Sequence, residues 1–273
     1  MMRTYRWLLS VAVIFLALAV PTPAVHAAAQ DYKPEVGQEG KDVVWVPTPQ
    51  ALVDRMLVMA RATPKDFIID LGSGDGRTVI TAAKRGIRAH GIEYNPSMVE
   101  LSKRNAAKEG VSDKATFAKA DLFASDFSKA TVLTLFLLPE INLKLRPKIL
   151  NLKAGTRVVS NSFDMGEWQA DETSTIEQGC EDWCTAYLWI VPAKVQGTWK
   201  LPQGELTLKQ NFQMVSGTLK VANGTVEISD GILNGDQITF NAGTERYIGR
   251  VNGDTVKGTV SSGGNWQAKR AQK

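Results

Sequence analysis

The fold turns on Phe67-Ile68-Ile69-Asp70-Leu71-Gly72-Ser73-Gly74-Asp75-Gly76-Arg77. Its opening run is too short and too β-branched for a helix and reads as a strand buried on both faces, as in a parallel sheet. Glycines at alternate positions 72, 74 and 76 allow positive φ and let a ligand approach the backbone without Cβ atoms in the way. Residues 78–84 then read as a helix, with Gly86 placed to stop it at C′. The whole is a cofactor loop between the carboxyl end of a strand and a helix. A dinucleotide loop needs G-x-G-x-x-G, and that pattern fails here because its last position is Arg77.

Two acids downstream extend the pattern. Residues 87–93 read as a second strand ending in Glu93, about 20 residues past the loop, the spacing at which a carboxylate accepts hydrogen bonds from ribose hydroxyls. Residues 115–120 read as a third strand that ends at Asp121-Leu122. Any one of Asp70, Glu93 and Asp121 could be a helix cap or a solvated turn; three acids at successive strand ends form a constellation. With the motif D-x-G-x-G-x-G, the chain resembles the class I S-adenosylmethionine (SAM) dependent methyltransferases. The resemblance implies that Gly72, Ser73, Gly74 and Gly76 pass beside the methionine part of SAM and that Asp70 helps hold it. Glu93 would take the ribose, and Asp121-Leu122 stands where the family places an acid near the adenine amino group.

Upstream, Thr48 is placed as an N-cap with Pro49 at the first helical position, and Leu52, Val53, Met56, Leu57 and Ala60 make one apolar face. Methyltransferases commonly have a segment covering SAM here, so two readings stand for Thr48: a packing-helix cap or a cofactor contact. Asn95-Pro96 starts another helix, which stops near Gly110. Helices and strands alternating in this order specify a parallel sheet joined by right-handed crossovers.

A strongly apolar fourth strand, residues 131–138, runs into Pro139-Glu140-Ile141-Asn142. Ligands of a doubly wound sheet bind outside the strand carboxyl ends, so Leu138, Pro139 and Glu140 are expected to border the methyl acceptor. From about residue 46 to 163 the chain is similar to lysine methyltransferases: the mitochondrial enzymes that modify the c-subunit of ATP synthase and, more distantly, the non-SET histone enzymes. The shared features are Gly-Ser-Gly-Asp-Gly-Arg, Glu93 followed by Asn95-Pro96, the Pro-Glu after the fourth strand, and Gly155-Thr156-Arg157-Val158-Val159-Ser160 entering the fifth. They imply a protein lysine as acceptor, with a small molecule as runner-up. Methyl transfer is an in-line displacement at a sulfonium, and the protein's main task is to place an acceptor lone pair about 3 Å from the methyl group in a dry pocket. A lysine acceptor must be neutral. Glu140 would orient it or take its proton, or else serves as a first-turn acid complementing the helix dipole.

Residues 161–173, with Phe163, Asp164, Met165 and Trp168, form either a wall of the acceptor pocket or a packed loop. Strands over 174–178 and 185–191 would supply the antiparallel pair that ends a class I methyltransferase sheet. Between them lie Cys180 and Cys184. If this segment were extended, their Cα atoms would stand about 13 Å apart, beyond disulfide reach, so a bond requires a turn. In an oxidising compartment that bond is expected, adding about 2 kcal/mol in the chain-entropy model; a catalytic thiol pair is the alternative.

From Lys194 short alternating runs are broken by Asn223-Gly224, Asp230-Gly231, Asn234-Gly235 and Asn252-Gly253, which are hairpin signals. About eight strands make a small β-barrel or meander, in which Trp199, Phe212, Phe240 and Trp266 are expected to be core. Gly197-Thr198-Trp199 with Arg270 faintly resembles the lipocalin-like barrels. The expected architecture is therefore α/β: a seven-stranded Rossmann-like methyltransferase sheet over 47–193 and a small all-β domain over 194–273.

Residues 1–27 have the form of an export signal: Arg3 and Arg6, a 13-residue apolar core, and Val25-His26-Ala27 as a cleavage site. That core is short of a bilayer span, so cleavage near Ala27, no lasting membrane span and a periplasmic or other extracytoplasmic location are expected. Residues 28–46 read as an exposed lead-in. Removing Arg3 and Arg6 from the 32 basic residues leaves 30 against 28 acidic ones. Such a balance, without a basic run, gives no case for nucleic acid. His90 is the one histidine left, so a Ser-His-Asp triad or a zinc site is close to excluded, and no metal is expected. Two function classes stand: an exported methyltransferase, or a non-catalytic envelope binding protein that retains the SAM fold. In either, the β domain is a candidate for docking an envelope partner.

Overall fold

The computed structural model describes residues 32–271. The export signal expected over 1–27, and the start of the lead-in, lie outside the described residues.

A seven-stranded sheet runs in the order β3-β2-β1-β4-β5-β7-β6. Its strands are β1 (Phe67–Leu71), β2 (Arg88–Glu93), β3 (Ala115–Lys119), β4 (Val132–Leu135), β5 (Arg157–Asn161), β6 (Glu172–Thr175) and β7 (Thr185–Ile190). The first five are parallel; β7 runs antiparallel to β5, and β6 to β7. Strand order reverses between β1 and β4, which opens a crevice at their carboxyl ends.

Alternation within Phe67-Ile68-Ile69 serves two cores. Ile68 joins Leu52, Val53, Met56 and Leu57 of α1 (Gln50–Met59), Val79 of α2 (Arg77–Lys84) and Val99 of α3 (Pro96–Lys108) on one face. Ile69 joins Ile141, Leu145 and Ile149 of α4 (Pro139–Ile149) on the other. Asn95 caps α3 as its sequence suggests, its side chain accepting from the Ser97 and Met98 amides. Thr48 does not cap α1. The helix begins one residue later with Pro49 in the cap position and no side-chain cap bond, because the Thr48 hydroxyl instead accepts from Asn161 Nδ2 at 3.4 Å.

The fourth strand is also shorter than its apolar run suggests. It ends at Leu135, and residues 136–138 leave the sheet to lead into α4.

Eight antiparallel strands, β8 (Gly197–Leu201), β9 (Gly204–Asn211), β10 (Met214–Val221), β11 (Gly224–Asn234), β12 (Gln237–Ala242), β13 (Glu245–Asn252), β14 (Thr255–Val260) and β15 (Asn265–Arg270), close into a barrel. Trp199, Phe240 and Trp266 fill its core, and the Arg270 guanidinium lies 4.2 Å from the Trp199 ring centroid. Asp230-Gly231 is not a hairpin turn: it forms a bulge inside β11, where pairing shifts register on both sides. Phe212 leaves the barrel altogether. It sits at the β9–β10 turn and stacks on Trp168 of the sheet domain, rings 6.0 Å apart and 12° from parallel. Two further bonds tie the halves together, Ala193 N–H to Gly235 O and Gln213 Nε2 to Gln169 O.

Candidate active site

The loop after β1 holds three left-handed glycines, Gly72, Gly74 and Gly76. A Cβ on Gly74 would stand 2.7 Å from Trp45 Nε1, and one on Gly72 3.0 Å from Leu137 Cδ2, so only bare backbone fits there. Helix α3 secures the loop's carbonyls: Ser102 Oγ donates to Gly74 O at 2.8 Å and Asn105 Nδ2 to Asp75 O at 3.0 Å. Arg77 forks onto Asp75 and donates to Thr48 O at 2.9 Å, fastening the loop to the entry of α1.

Asp70, Glu93 and Asp121 all line one cleft of about 1030 Å³, open mouth included, together with Thr48, Gly72, Ser73, Gly74 and Leu122. Gly76 is outside that lining. It caps α2 at φ +83°, where a Cβ would meet the Phe117 ring at 2.8 Å, so its part is packing. Leu138, Pro139 and Glu140 are outside it too. Because β4 ends early, Phe136 and Leu137 occupy the strand tip and line the cleft along with Ile141. Glu140 is an exposed acid in the first turn of α4.

The acids differ in environment. Burial pushes the Asp70 carboxyl up to about 7; the Thr134 hydroxyl, donating at 2.6 Å, opposes this, and the nearby Glu93 and Asp75 charges add to it. Glu93 accepts from the Gly74 amide through Oε2 and the Asn95 amide through Oε1, both at 2.9 Å. Each oxygen keeps a lone pair for a further donor. Asp121 accepts from Lys41 Nζ at 2.6 Å and from the Phe123 amide at 2.8 Å; the Lys41 bond, chiefly, holds its carboxyl below the usual range.

Lys41 belongs to the supposed lead-in, which is not simply exposed. Residues 38–48 line the cleft, and the Gly37 and Trp45 amides close a loop by pairing with Trp45 O and Gln38 O. Trp45 lies over Gly74, and Lys41 Nζ stands 4.9 Å from the centroid of the Tyr94 ring. This strap lacks the periodicity of a helix or strand, which is why its place was not legible. The Trp45 indole ahead of Pro47-Thr48-Pro49 was the available signal.

These residues fit a cationic adenosyl ligand. Asp70 is a buried carboxylate short of donors, whose charged form a cation alongside would restore. Glu93 has spare acceptors for vicinal hydroxyls, and the Ser73 hydroxyl is buried without a hydrogen-bond partner. Among the described residues no group of three histidine, cysteine or acidic side chains could hold a metal. His90 is half-buried in β2, where its Nδ1 meets Thr116 Oγ1 at 2.8 Å. Cys180 and Cys184 do form a disulfide, with Cα atoms 5.8 Å apart across a turn.

Residues 70–172 match the family model described as the ANTKMT methyltransferase domain. A protein-lysine N-methyltransferase of Saccharolobus islandicus is 41% identical over 152 residues, covering 55% of this chain and 94% of that protein. The human lysine N-methyltransferase named for the c-subunit of ATP synthase is 33% identical over 165 residues, 60% of this chain and 65% of the relative. Among solved structures, an RNA methyltransferase from Salinibacter ruber in complex with S-adenosyl-L-homocysteine is 47% identical. It superposes with a TM-score of 0.51, covering 55% of this chain and 96% of that one.

Proposed function

Because this chain belongs to the methyltransferase family that includes the archaeal protein-lysine N-methyltransferase, we propose that it methylates the side-chain amine of a protein lysine, and does so outside the cytoplasm. It is a SAM-dependent enzyme; SAM, when bound, supplies a methyl group on a sulfonium. The observation that carries the reading is the convergence of Asp70, Glu93 and Asp121 on one cleft with Phe136 and Leu137 at its β4 side.

Each group has a task that its surroundings support. Glu93, oriented by two amides, receives the ribose hydroxyls. Asp70 offsets the cofactor's positive charge, and Asp121 faces the adenine amino group while Lys41 holds it charged. Trp45 and Lys41, folded over the glycine loop, keep water out, which strengthens the electrostatics inside. Phe136, Leu137 and Ile141 give the acceptor side an apolar wall, which favours the neutral amine. The cleft lining has no histidine, and its acids Asp70, Glu93 and Asp121 are assigned to the cofactor, so in this reading the amine leaves its proton to solvent on the way in.

Export is supported by the arginine, apolar-core and Val25-His26-Ala27 pattern and by the Cys180–Cys184 bond, which belongs to oxidising compartments. The Salinibacter structure's description raises RNA as an acceptor, but 30 basic against 28 acidic residues after signal removal gives a polyanion little attraction.

The test incubates the purified protein and labelled SAM with envelope proteins, and separately with total RNA. Label on lysine, located by mass spectrometry and lost in Glu93→Ala, is the expected result. Label on RNA alone, or none, overturns the reading. Fractionation of cells making the full chain tests export, which predicts the protein outside the inner membrane.

A further inference from the structure

Phe136 lines the cofactor cleft, and two rings from other elements meet it. Phe163, two residues past β5, lies 6.1 Å away, and Trp183, two residues before β7, lies 6.0 Å away; these two are 5.4 Å from each other. Topology explains the meeting. Since β7 runs antiparallel to β5, with Asn161 paired to Ala186, the entry to β7 lies at the same sheet edge as the tips of β4 and β5.

Trp183 packs against Phe136 and Phe163 yet remains 44% exposed, and its backbone sits at φ +60°, a strained state for a bulky residue. The Cys180–Cys184 bond closes the loop that carries it. A second, open groove is lined by Trp183, Glu177, Glu181 and Asp182 and shares Val46 and Pro47 with the cofactor cleft; its lining contains no basic side chain. The two spaces therefore have a common wall, and the ring cluster touches both: Phe136 lines the cofactor cleft and Trp183 the groove.

We infer that Phe136, Phe163 and Trp183 form the entrance through which the acceptor lysine reaches the cleft, and that the acidic groove holds its basic flanking polypeptide. The rings offer π faces to an ammonium and apolar walls to its alkyl chain. Carboxylates outside attract cationic neighbours, while the aliphatic Leu137 and Ile141 of the cleft lining favour the deprotonated amine. This assignment rests on the lysine reading above and names the side from which the acceptor enters.

The test uses binding, so the natural acceptor need not be known. Two probes are compared with S-adenosylhomocysteine by calorimetry. One is an S-adenosylhomocysteine analogue joined at its sulfur position, through a short linker, to the side-chain nitrogen of an N-acetyl-lysine amide. The other is the same analogue with arginines flanking that lysine. In the wild type the lysine arm should add about tenfold in affinity and the arginines several-fold more. Trp183→Ala should remove the first gain, Trp183→Phe should keep most of it, and Glu181→Lys with Asp182→Lys should remove only the second. S-adenosylhomocysteine itself should bind all variants alike, which shows that the fold is intact. A lysine arm that gains nothing in the wild type would overturn the lysine reading and this entrance with it. A gain that persists in Trp183→Ala would overturn the entrance alone.

Discussion

Asp70 couples the cleft to pH. Its carboxyl is raised to about 7 in the folded protein against about 3.9 unfolded. The native state therefore binds the extra proton, and its contribution to stability is full below about pH 4 and lost as pH rises through 7. The loss is about 4 kcal/mol at most. Without cofactor, the wild type should thus lose stability between about pH 4 and 7, and Asp70→Asn should flatten that slope in denaturant titrations. Cofactor affinity should run the other way, weakening as pH falls below about 7 because the neutral acid no longer balances a cation; Asp70→Asn should bind weakly at every pH. Glu93→Ala should cost at least about tenfold in SAM affinity, since it removes a charged acceptor and releases the Gly74 and Asn95 amides. All three acids were legible in the sequence because each sits at a strand's end, a position that periodicity fixes. Leu138, Pro139 and Glu140 were placed at the cleft by the same logic, but an apolar run does not reveal where pairing stops. Chain leaving the sheet after Leu135 can be as greasy as the strand itself.

At the scale of elements, the strap over the glycine loop and the loop closed by the disulfide are the parts with most to test. Replacing both Lys41 and Trp45 by alanine should speed cofactor release by about tenfold in stopped-flow displacement while leaving the thermal midpoint nearly unchanged, because their contacts are to the cleft rim rather than to a core. Gly74→Ala should fail at the same spot from the opposite direction, meeting Trp45 Nε1 at 2.7 Å in a left-handed backbone. Changing Cys180 and Cys184 to serine should cost about 2 kcal/mol, read as a lower denaturation midpoint. The pairing could be anticipated only as a condition, because two cysteines four residues apart meet in a turn and not in a strand. The strap offered little beyond the Trp45 indole to anticipate it by: its order comes from Asp121, Gly74 and Tyr94, which lie far along the chain.

Across the whole molecule, the two halves share a tertiary seam through Phe212, Trp168 and Trp189. Phe212→Ala should lower stability by about 2 kcal/mol and broaden the calorimetric transition, since it opens the ring contact between sheet and barrel while the Ala193–Gly235 and Gln213–Gln169 bonds remain. The dipeptides Asn223-Gly224, Asn234-Gly235 and Asn252-Gly253 fold as their sequences suggest, whereas Asp230-Gly231 is drawn into β11 as a bulge that turns the barrel wall. Local turn chemistry could not distinguish these outcomes, which depend on what lies across the ladder. Phe212 was misassigned to the barrel interior for a related reason. Hydrophobicity says that a ring will be covered, but not by which neighbour.

Barrel closure limits how this protein can be recruited. With β8 to β15 joined in a closed ring, backbone is left open only where β15 meets β8, through the two pairs Lys269–Lys200 and Arg270–Trp199, so a companion that donates a strand has that one seam to enter. A companion bound anywhere else must be gripped by side chains alone, and its affinity should respond to point changes on the barrel's outer wall or hairpin tips rather than to peptides that mimic an edge.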